Sequence, residues 1–207
     1  MPLRRALLPD VAALHALALP IHTVPAATPL VRMHTYGKEP LYFPHRRNAH
    51  GRPEPAMRFD DPLSDYGVCY FGFGDGGAFV ETILRDQYLQ DLTRADLEVR
   101  ALADGRAVRP LRLARMSGKG LQRIHTHAGV VHLDDYRITQ AWSRAVFTHP
   151  DRPDGIMYRS RFDDDEICVA LFEPACDAVS MAAGPCILTL PSRLKALLEA
   201  YEITLHA

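Results

Sequence analysis

Apolar and polar positions along the chain fall into a few clear periods. Ile138, Ala141, Trp142, Ala145 and Val146 follow i, i+3, i+4, i+7, i+8, which predicts a helix with one core-facing stripe. Two apolar runs, GIMYRS at 155–160 and EICVALFE at 166–173, predict strands joined through the acidic turn RFDDD. LVRMHT, from Leu30, predicts a strand that carries a charged residue, Arg32, within it. Leu97, Val99 and Ala101 alternate with Glu98 and Arg100, the mark of a half-buried strand. Asp10 precedes an apolar stretch and predicts a short helix over about 10–19 with Asp10 as its cap. Pro191 and Ser192 open a last predicted helix, about 192–201, and EITLH after it predicts an edge strand. From Tyr36 to Pro62, proline, arginine and histidine dominate without any period, which predicts a long ordered loop of the functional kind. Helices and strands mix without βαβ alternation. That predicts an α+β fold, a mixed sheet with flanking helices, over a doubly wound one.

The densest stretch is YGVCYFGFGDGGAFVETILR at 66–85, an apolar strand, a glycine-rich turn and an amphipathic helix. Phe79, Val80, Ile83 and Leu84 form the helical stripe, while Tyr70 and Glu81 interrupt the apolar plan on either side of the turn. Gly72, Gly74 and Gly77 satisfy G-x-G-x-x-G. Read as a dinucleotide fingerprint, this makes a Rossmann-type NAD-dependent oxidoreductase, with a pyrophosphate on the helix N-terminus and Glu98 as a rough ribose candidate. The following segment supplies no second strand of a βαβ unit, which counts against that reading. Plainer readings exist for each polar residue. Glu81 stands four before Arg85, as in an exposed ion pair; Arg58 could pair with Asp60 or Asp61; Tyr70 could be an ordinary strand aromatic; Ser160 could cap a turn.

Composition narrows the classes further. The 207 residues suit one large domain, and a formal net charge of −1 with no basic tail advertises no nucleic-acid binding. No run approaches the roughly 20 apolar residues that span a bilayer. The start, MPLRRALLPDVAALHALALP, places basic residues before an apolar stretch as an export leader does, but Pro9, Asp10 and His15 break it. Cys69, Cys168, Cys176 and Cys186 have no CxxC spacing and read as reduced thiols of a cytoplasmic protein. His125, His127, His132 and Asp134 lack an HExxH pattern, so no catalytic metal is expected, and no G-x-S-x-G elbow is present.

Taken in order, LVRMH, MRFDDP, GVCYFGFGDGGAFVETILR, TQAWSRAV, DGIMYRSR and CVALF resemble the RES-domain family. That family is named for its Arg, Glu and Ser residues and is known from toxins of bacterial RES–Xre toxin–antitoxin systems. The resemblance runs from about Leu30 to Pro174 and implies one RES-type domain over 1–207, with the first and last helices as appendages. It implies a fold akin to ADP-ribosyltransferases and an enzyme that cleaves the nicotinamide–ribose bond of NAD by phosphorolysis or hydrolysis. NAD is then a consumed substrate, no cofactor is needed, and inorganic phosphate is a co-substrate in the phosphorolytic case.

Matched motif by motif, the resemblance makes Glu81, Arg58 and Ser160 catalytic, and Arg32, Arg58, Tyr70, Glu81 and Ser160 the NAD-binding set. A carboxylate suits the positive charge that develops on ribose, and paired guanidinium groups suit a pyrophosphate. Tyr70 offers a face for nicotinamide, and Ser160 a hydroxyl for its amide or for ribose. The implied partner is a cognate antitoxin that carries its own DNA-binding part, which leaves this chain no direct contact with nucleic acid or membrane. Homo-oligomerisation stays open. So do ADP-ribosyl transfer to a macromolecule and an inactive partner-binding module. The wording departs from the family at two places: RFDDP replaces glycine–glycine–arginine–phenylalanine–asparagine, and the turn after Tyr70 holds more glycine.

Overall fold

The computed structural model describes residues 7–85 and 91–206; Arg4 and Arg5 of the leader-like start, and part of the segment after Arg85, lie outside the described residues. Helix α1 (Val11–His15) is capped by Asp10, whose Oδ1 accepts from the Ala13 amide at 3.0 Å. It is shorter than its apolar pattern predicts, because the chain turns off and the Leu19 amide docks on Asp151 at 2.8 Å. Strand β1 (Ile21–Val24), which the sequence pattern did not reveal, leads into β2 (Pro29–Thr35), the expected LVRMHT strand. The loop from Tyr36 to Pro62 contains no helix or strand, only an isolated bridge between Arg47 and Pro53.

Strand β3 (Val68–Gly72) and helix α2 (Asp75–Val80) follow. The helix stops at Glu81, its C-cap, so Glu81 ends this helix where an internal position was expected. Beyond it come β4 (Asp91–Thr93), α3 (Arg94–Glu98), β5 (Arg100–Ala107) and β6 (Leu111–Arg115). The alternation at 97–101 therefore does not make a strand throughout. Thr93 and Asp96 form a reciprocal capping box that starts a helical turn, and Leu97 is buried beneath it. Two short helices, α4 (Lys119–Arg123) and α5 (Gly129–His132), precede α6 (Tyr136–Phe147), the helix its stripe predicted. Strands β7 (Gly155–Arg159) and β8 (Ile167–Phe172) form the expected antiparallel pair. A 3-10 turn, β9 (Val179–Met181), α7 (Pro191–Ala200) and β10 (Thr204–His206) complete the described chain.

Among the described residues, eight strands make one mixed sheet in the order β1-β6-β7-β8-β3-β2-β5-β9, antiparallel except at β6–β7. β10 pairs in parallel with β4 in a separate two-stranded ribbon, so the predicted edge strand exists but borders a different sheet. The α+β class holds. The dinucleotide fold does not: β3 runs antiparallel to both neighbours, β2 and β8, so the glycine turn belongs to no βαβ unit. Helix α6 buries Ile138, Trp142, Ala145 and Val146 against Phe59, Val68, Ile156 and Tyr158 on one sheet face. Helices α2 and α7 pack with Val31, Met33 and Leu102.

One seam matters for the site. β2 and β5 share seven register pairs and β3 and β8 share five, whereas β2 and β3 meet only at Val31↔Gly72. Past that pair the two strands diverge and the sheet opens.

Candidate functional site

A cavity of about 730 Å³ occupies this opening. Because successive residues of a strand point to opposite faces, a split sheet lets both faces contribute to one hollow. Arg32 lies on the side of Cys69 and Phe71, its guanidinium 5.9 Å from the Phe71 ring centre and NH1 against the Cys69 sulfur. Tyr70, Glu81 and Arg58 come from the other side. Among the described residues, six cations line the cavity (Arg32, Lys38, Arg58, Arg85, Arg100 and Arg46, the last paired with Asp60) against two carboxylates, Glu39 and Glu81. Such a balance suits an anionic ligand. A second hollow of about 530 Å³ lies by α7 and β10 and contains none of these groups.

Arg58 is not a surface residue. It is 4% exposed, NH1 donates to the Val131 carbonyl of α5, and the guanidinium lies 5.7 Å from the Tyr136 ring and 5.8 Å from Phe162. Neither neighbouring aspartate pairs with it. Asp60 is buried and accepts from Arg46 Nε at 2.8 Å and from the amides of Ala56 and Met57 at 3.0 and 2.9 Å. Asp61 accepts from Arg144 NH1 at 2.8 Å and from the Asp65 amide at 2.6 Å. The two carboxylates thus tie down the loop, and Gln140 and Ser143 of α6 add donors to the carbonyls of Met57 and Phe59. RFDDP departs from the family wording, and its aspartates staple the Arg58 loop.

Tyr70 lines the cavity, but its hydroxyl is engaged. It accepts from the Phe59 amide at 2.9 Å and donates to Asp60 Oδ1 at 3.4 Å. Burial, and then the charge of Asp60, push this phenol well above its ordinary pKa, so it stays protonated. The ring forms wall while the oxygen steadies the Arg58 loop.

Glu81 enters from the end of α2. Among the described residues it forms no ion pair with Arg85; Tyr158 Oη donates to its Oε2 at 3.1 Å, and Oε1 is buried without a hydrogen-bond partner. Burial and then the Glu81 charge hold the Tyr158 phenol well above its usual range. His34 Nε2 and Arg100 Nε, also on cavity-lining residues, are likewise buried and unpaired. Clustered unsatisfied polar atoms mark a place prepared for a polar ligand.

Ser160 is the exception among the five expected residues. It is fully buried at the end of β7, its Oγ accepts from the Phe162 amide at 3.1 Å, and it does not line the cavity. Its hydroxyl shapes the turn that carries Phe162 to Arg58. The glycine turn also has an internal explanation. A Cβ on Gly72 would stand 2.6 Å from the Ala78 amide nitrogen, and the Glu166 carboxylate already lies against Gly76 and Gly77 at the start of α2, where an added Cβ on Gly76 would meet its Oε1. That helix start is occupied and no cradle for a pyrophosphate. Of the four histidine-region residues, His127 Nδ1 accepts from the Gly129 amide, and burial followed by the Arg58 charge lowers the His132 pKa. Among the described residues no cluster of His, Cys, Asp or Glu is arranged to hold a metal ion.

Sequence reasoning did not reach Tyr158, Phe162, Tyr136 or Arg46. Tyr158 lies two residues before Ser160 inside the quoted DGIMYRSR motif, the one signal that pointed near it.

Fold and site together define an α+β protein with a cationic cleft in a split sheet, built around a half-buried glutamate. The family model described as RES domain matches residues 29–190, and the chain belongs to that family. A protein described as "Probable toxin y4kH", from Sinorhizobium fredii (strain NBRC 101917 / NGR234), is 25% identical over 115 residues, 56% of this chain and 84% of that protein. The fold matches a chain of the M. tuberculosis MbcT–MbcA toxin–antitoxin complex with a TM-score of 0.60 at 14% identity, over 89% of this chain and 96% of that one. No helix among the described residues is long and apolar enough to cross a membrane.

Proposed function

We propose that this protein is the cytoplasmic toxin of a toxin–antitoxin pair and acts by cleaving the nicotinamide–ribose bond of NAD. The observation that carries the reading is the joint placement of Arg32, Arg58, Tyr70 and Glu81 on one cavity, with an unpaired buried oxygen on Glu81. Arg32 and Arg58, neither paired with a carboxylate among the described residues, hold the pyrophosphate through their planar forks. The Tyr70 ring stacks near nicotinamide, and the Glu81 carboxylate takes a ribose hydroxyl and stabilises the oxocarbenium charge as the C–N bond breaks. Nicotinamide leaves neutral, taking the bonding pair onto its ring nitrogen. The ribose carbon then accepts an oxygen of phosphate in phosphorolysis, or of water with loss of a proton in hydrolysis. NAD is the substrate, and no resident cofactor or metal takes part. Ser160 serves indirectly, through the turn that seats Phe162. The antitoxin, bringing its own DNA-binding part, covers the cleft, so partner and NAD compete for one surface.

Incubating the purified protein with NAD should release free nicotinamide, and chelators should leave the rate unchanged. With phosphate present, phosphorolysis yields ADP-ribose 1-phosphate, whereas hydrolysis yields ADP-ribose under either condition. Unopposed expression in bacteria should lower NAD before growth stops, and co-expressed antitoxin should restore both. Growth arrest with level NAD would point to ADP-ribosylation of a macromolecule. No toxicity and no nicotinamide would leave a partner-binding module.

A further inference from the structure

Glu81 shares its cavity with cations and pairs with none of them. Arg58 and Arg85 both line the hollow, and Arg85 follows Glu81 by four residues in the turn after α2. A carboxylate on three rotatable bonds, at the end of a six-residue helix, would ordinarily swing to the nearest guanidinium. Among the described residues its hydrogen bond comes instead from a neutral donor, Tyr158, at 3.1 Å, and one oxygen stays unpaired in a buried setting.

Tyr158 is suited to impose that arrangement. It lies in β7, in register with Cys168 of β8, is 1% exposed, and its ring centre is 4.7 Å from that of Phe59. The ring is fixed from the sheet interior, so its hydroxyl is a stationary donor. Held as a phenol by burial, it offers a proton without adding charge.

We propose that Tyr158 is a positioning residue of this site: its hydroxyl holds Oε2 of Glu81, keeps the carboxylate from closing onto Arg58 or Arg85, and leaves Oε1 for a ribose hydroxyl of the dinucleotide. The inference rests on the NAD-cleaving reading for its substrate, and on the hydrogen bond for its geometry. It gives the carboxylate a fixed orientation before substrate arrives, which is what a preorganised site requires.

Tyr158→Phe keeps the ring and removes only the donor. With NAD, kcat should fall about tenfold or more while KM stays within about twofold, the pattern of an interaction used in the transition state. In a Glu81→Gln background the same change should cost nothing further, because a residue acting through another loses its effect when that other is gone. Equal losses in both backgrounds, or wild-type kcat in Tyr158→Phe, would overturn the proposal. If the wild-type protein releases no nicotinamide, the functional reading fails alone. The clamp is then read in protein labelled with ¹³C at glutamate Cδ, with the Glu81 signal assigned by its absence in Glu81→Gln. Tyr158→Phe should move that signal and leave other glutamates in place; an unmoved signal refutes the clamp. Should Tyr158→Phe fail to fold, 3-fluorotyrosine introduced at position 158 retains the hydroxyl with altered donor strength, and the same signal must move.

Discussion

Two segments carry the opposing charges of the cleft, and they are built on different physics. The stretch from Gly72 to Glu81 is fixed by shape. Gly72 admits the Ala78 backbone where no Cβ fits, and Phe79 and Val80, both fully buried, anchor α2 in the core. The loop from Tyr36 to Pro62 has its apolar anchors in Phe59, with Leu41 and Phe43 packed at the core's edge, and around Arg58 it is otherwise fixed by charge. Asp60 and Asp61 gather backbone amides and the side chains of Arg46 and Arg144, and Tyr70 reaches across to the Phe59 amide. Apolar packing places the carboxylate, and a polar network around the single buried anchor Phe59 places the arginine. Changes to the two segments should therefore fail in different ways.

The largest effect should come from Glu81→Gln. It removes the charge and leaves the α2 packing intact, so NAD cleavage should drop at least about a hundredfold, the order expected for one lost electrostatic contact. Thermal unfolding should be unchanged. Near-full turnover in that variant would show that the Glu81 charge takes no part in the reaction and remove half of the contrast.

On the loop side, stability and activity should fall together. Asp60→Ala strands the Arg46 guanidinium and two amides, a loss of about 3 kcal/mol for a buried, charged hydrogen-bond centre. Denaturant unfolding should show that loss, and NAD turnover should fall as Arg58 loses its support. Arg58→Lys, by comparison, keeps the charge but gives up the planar fork and its seat between Tyr136 and Phe162, and turnover should weaken with a smaller change in stability. Equal stability in Asp60→Ala and wild type would show that the loop is held by something other than its charges.

The glycines sharpen the shape side of the comparison. Gly72→Ala drives a Cβ into backbone and should destabilise by about 1–3 kcal/mol. At Gly74 nothing lies within 4 Å of an added Cβ, and Gly74→Ala should stay within about 0.5 kcal/mol. A phosphate-binding glycine turn would predict damage to NAD turnover from both, so turnover that survives Gly74→Ala separates the two accounts.

The smallest effect concerns pH. Burial, and then Asp163, raise the Glu166 carboxyl above its ordinary value of 4.5. The native state therefore keeps this proton at pH values where the unfolded chain has released it. Ionising the group inside the fold is penalised, and stability declines as pH rises through the folded value. Glu166→Gln removes that titration. Its Tm should exceed wild type at pH 7, and the difference should close as pH falls below the unfolded value. A gap that persists at acid pH would mean the substitution changed packing on the glycine turn instead.

Legibility in the sequence followed the same division. The stripe of α6 and the β7–β8 pair could be read directly, since burying one face of a helix or strand leaves a local period. Glu81, Tyr70, Arg58 and Arg32 were legible as motif positions, and all four line the cavity. The strand expected around Leu97 was misread because a capping box between Thr93 and Asp96 overrode the alternation. Ser160 was read as a ligand group; it stands outside the cavity lining, and its oxygen accepts from a backbone amide two residues on. Which partner a hydroxyl or carboxylate finds leaves no period along the chain.

By itself the sequence determined the α+β class, the order of the motifs and the residue types available for an anionic ligand, because each follows from local composition and periodicity. Only the tertiary structure decided where those groups point. β2 and β3 part after one register pair, so Arg32 and Glu81, from opposite faces of a sheet, share one cavity. Asp60 turns to Arg46 and not to Arg58, and Tyr158, 77 residues from Glu81, supplies its hydrogen bond. These choices are made by contacts between distant segments, where strand pairing and burial set which donor stands within 3 Å or so of which acceptor.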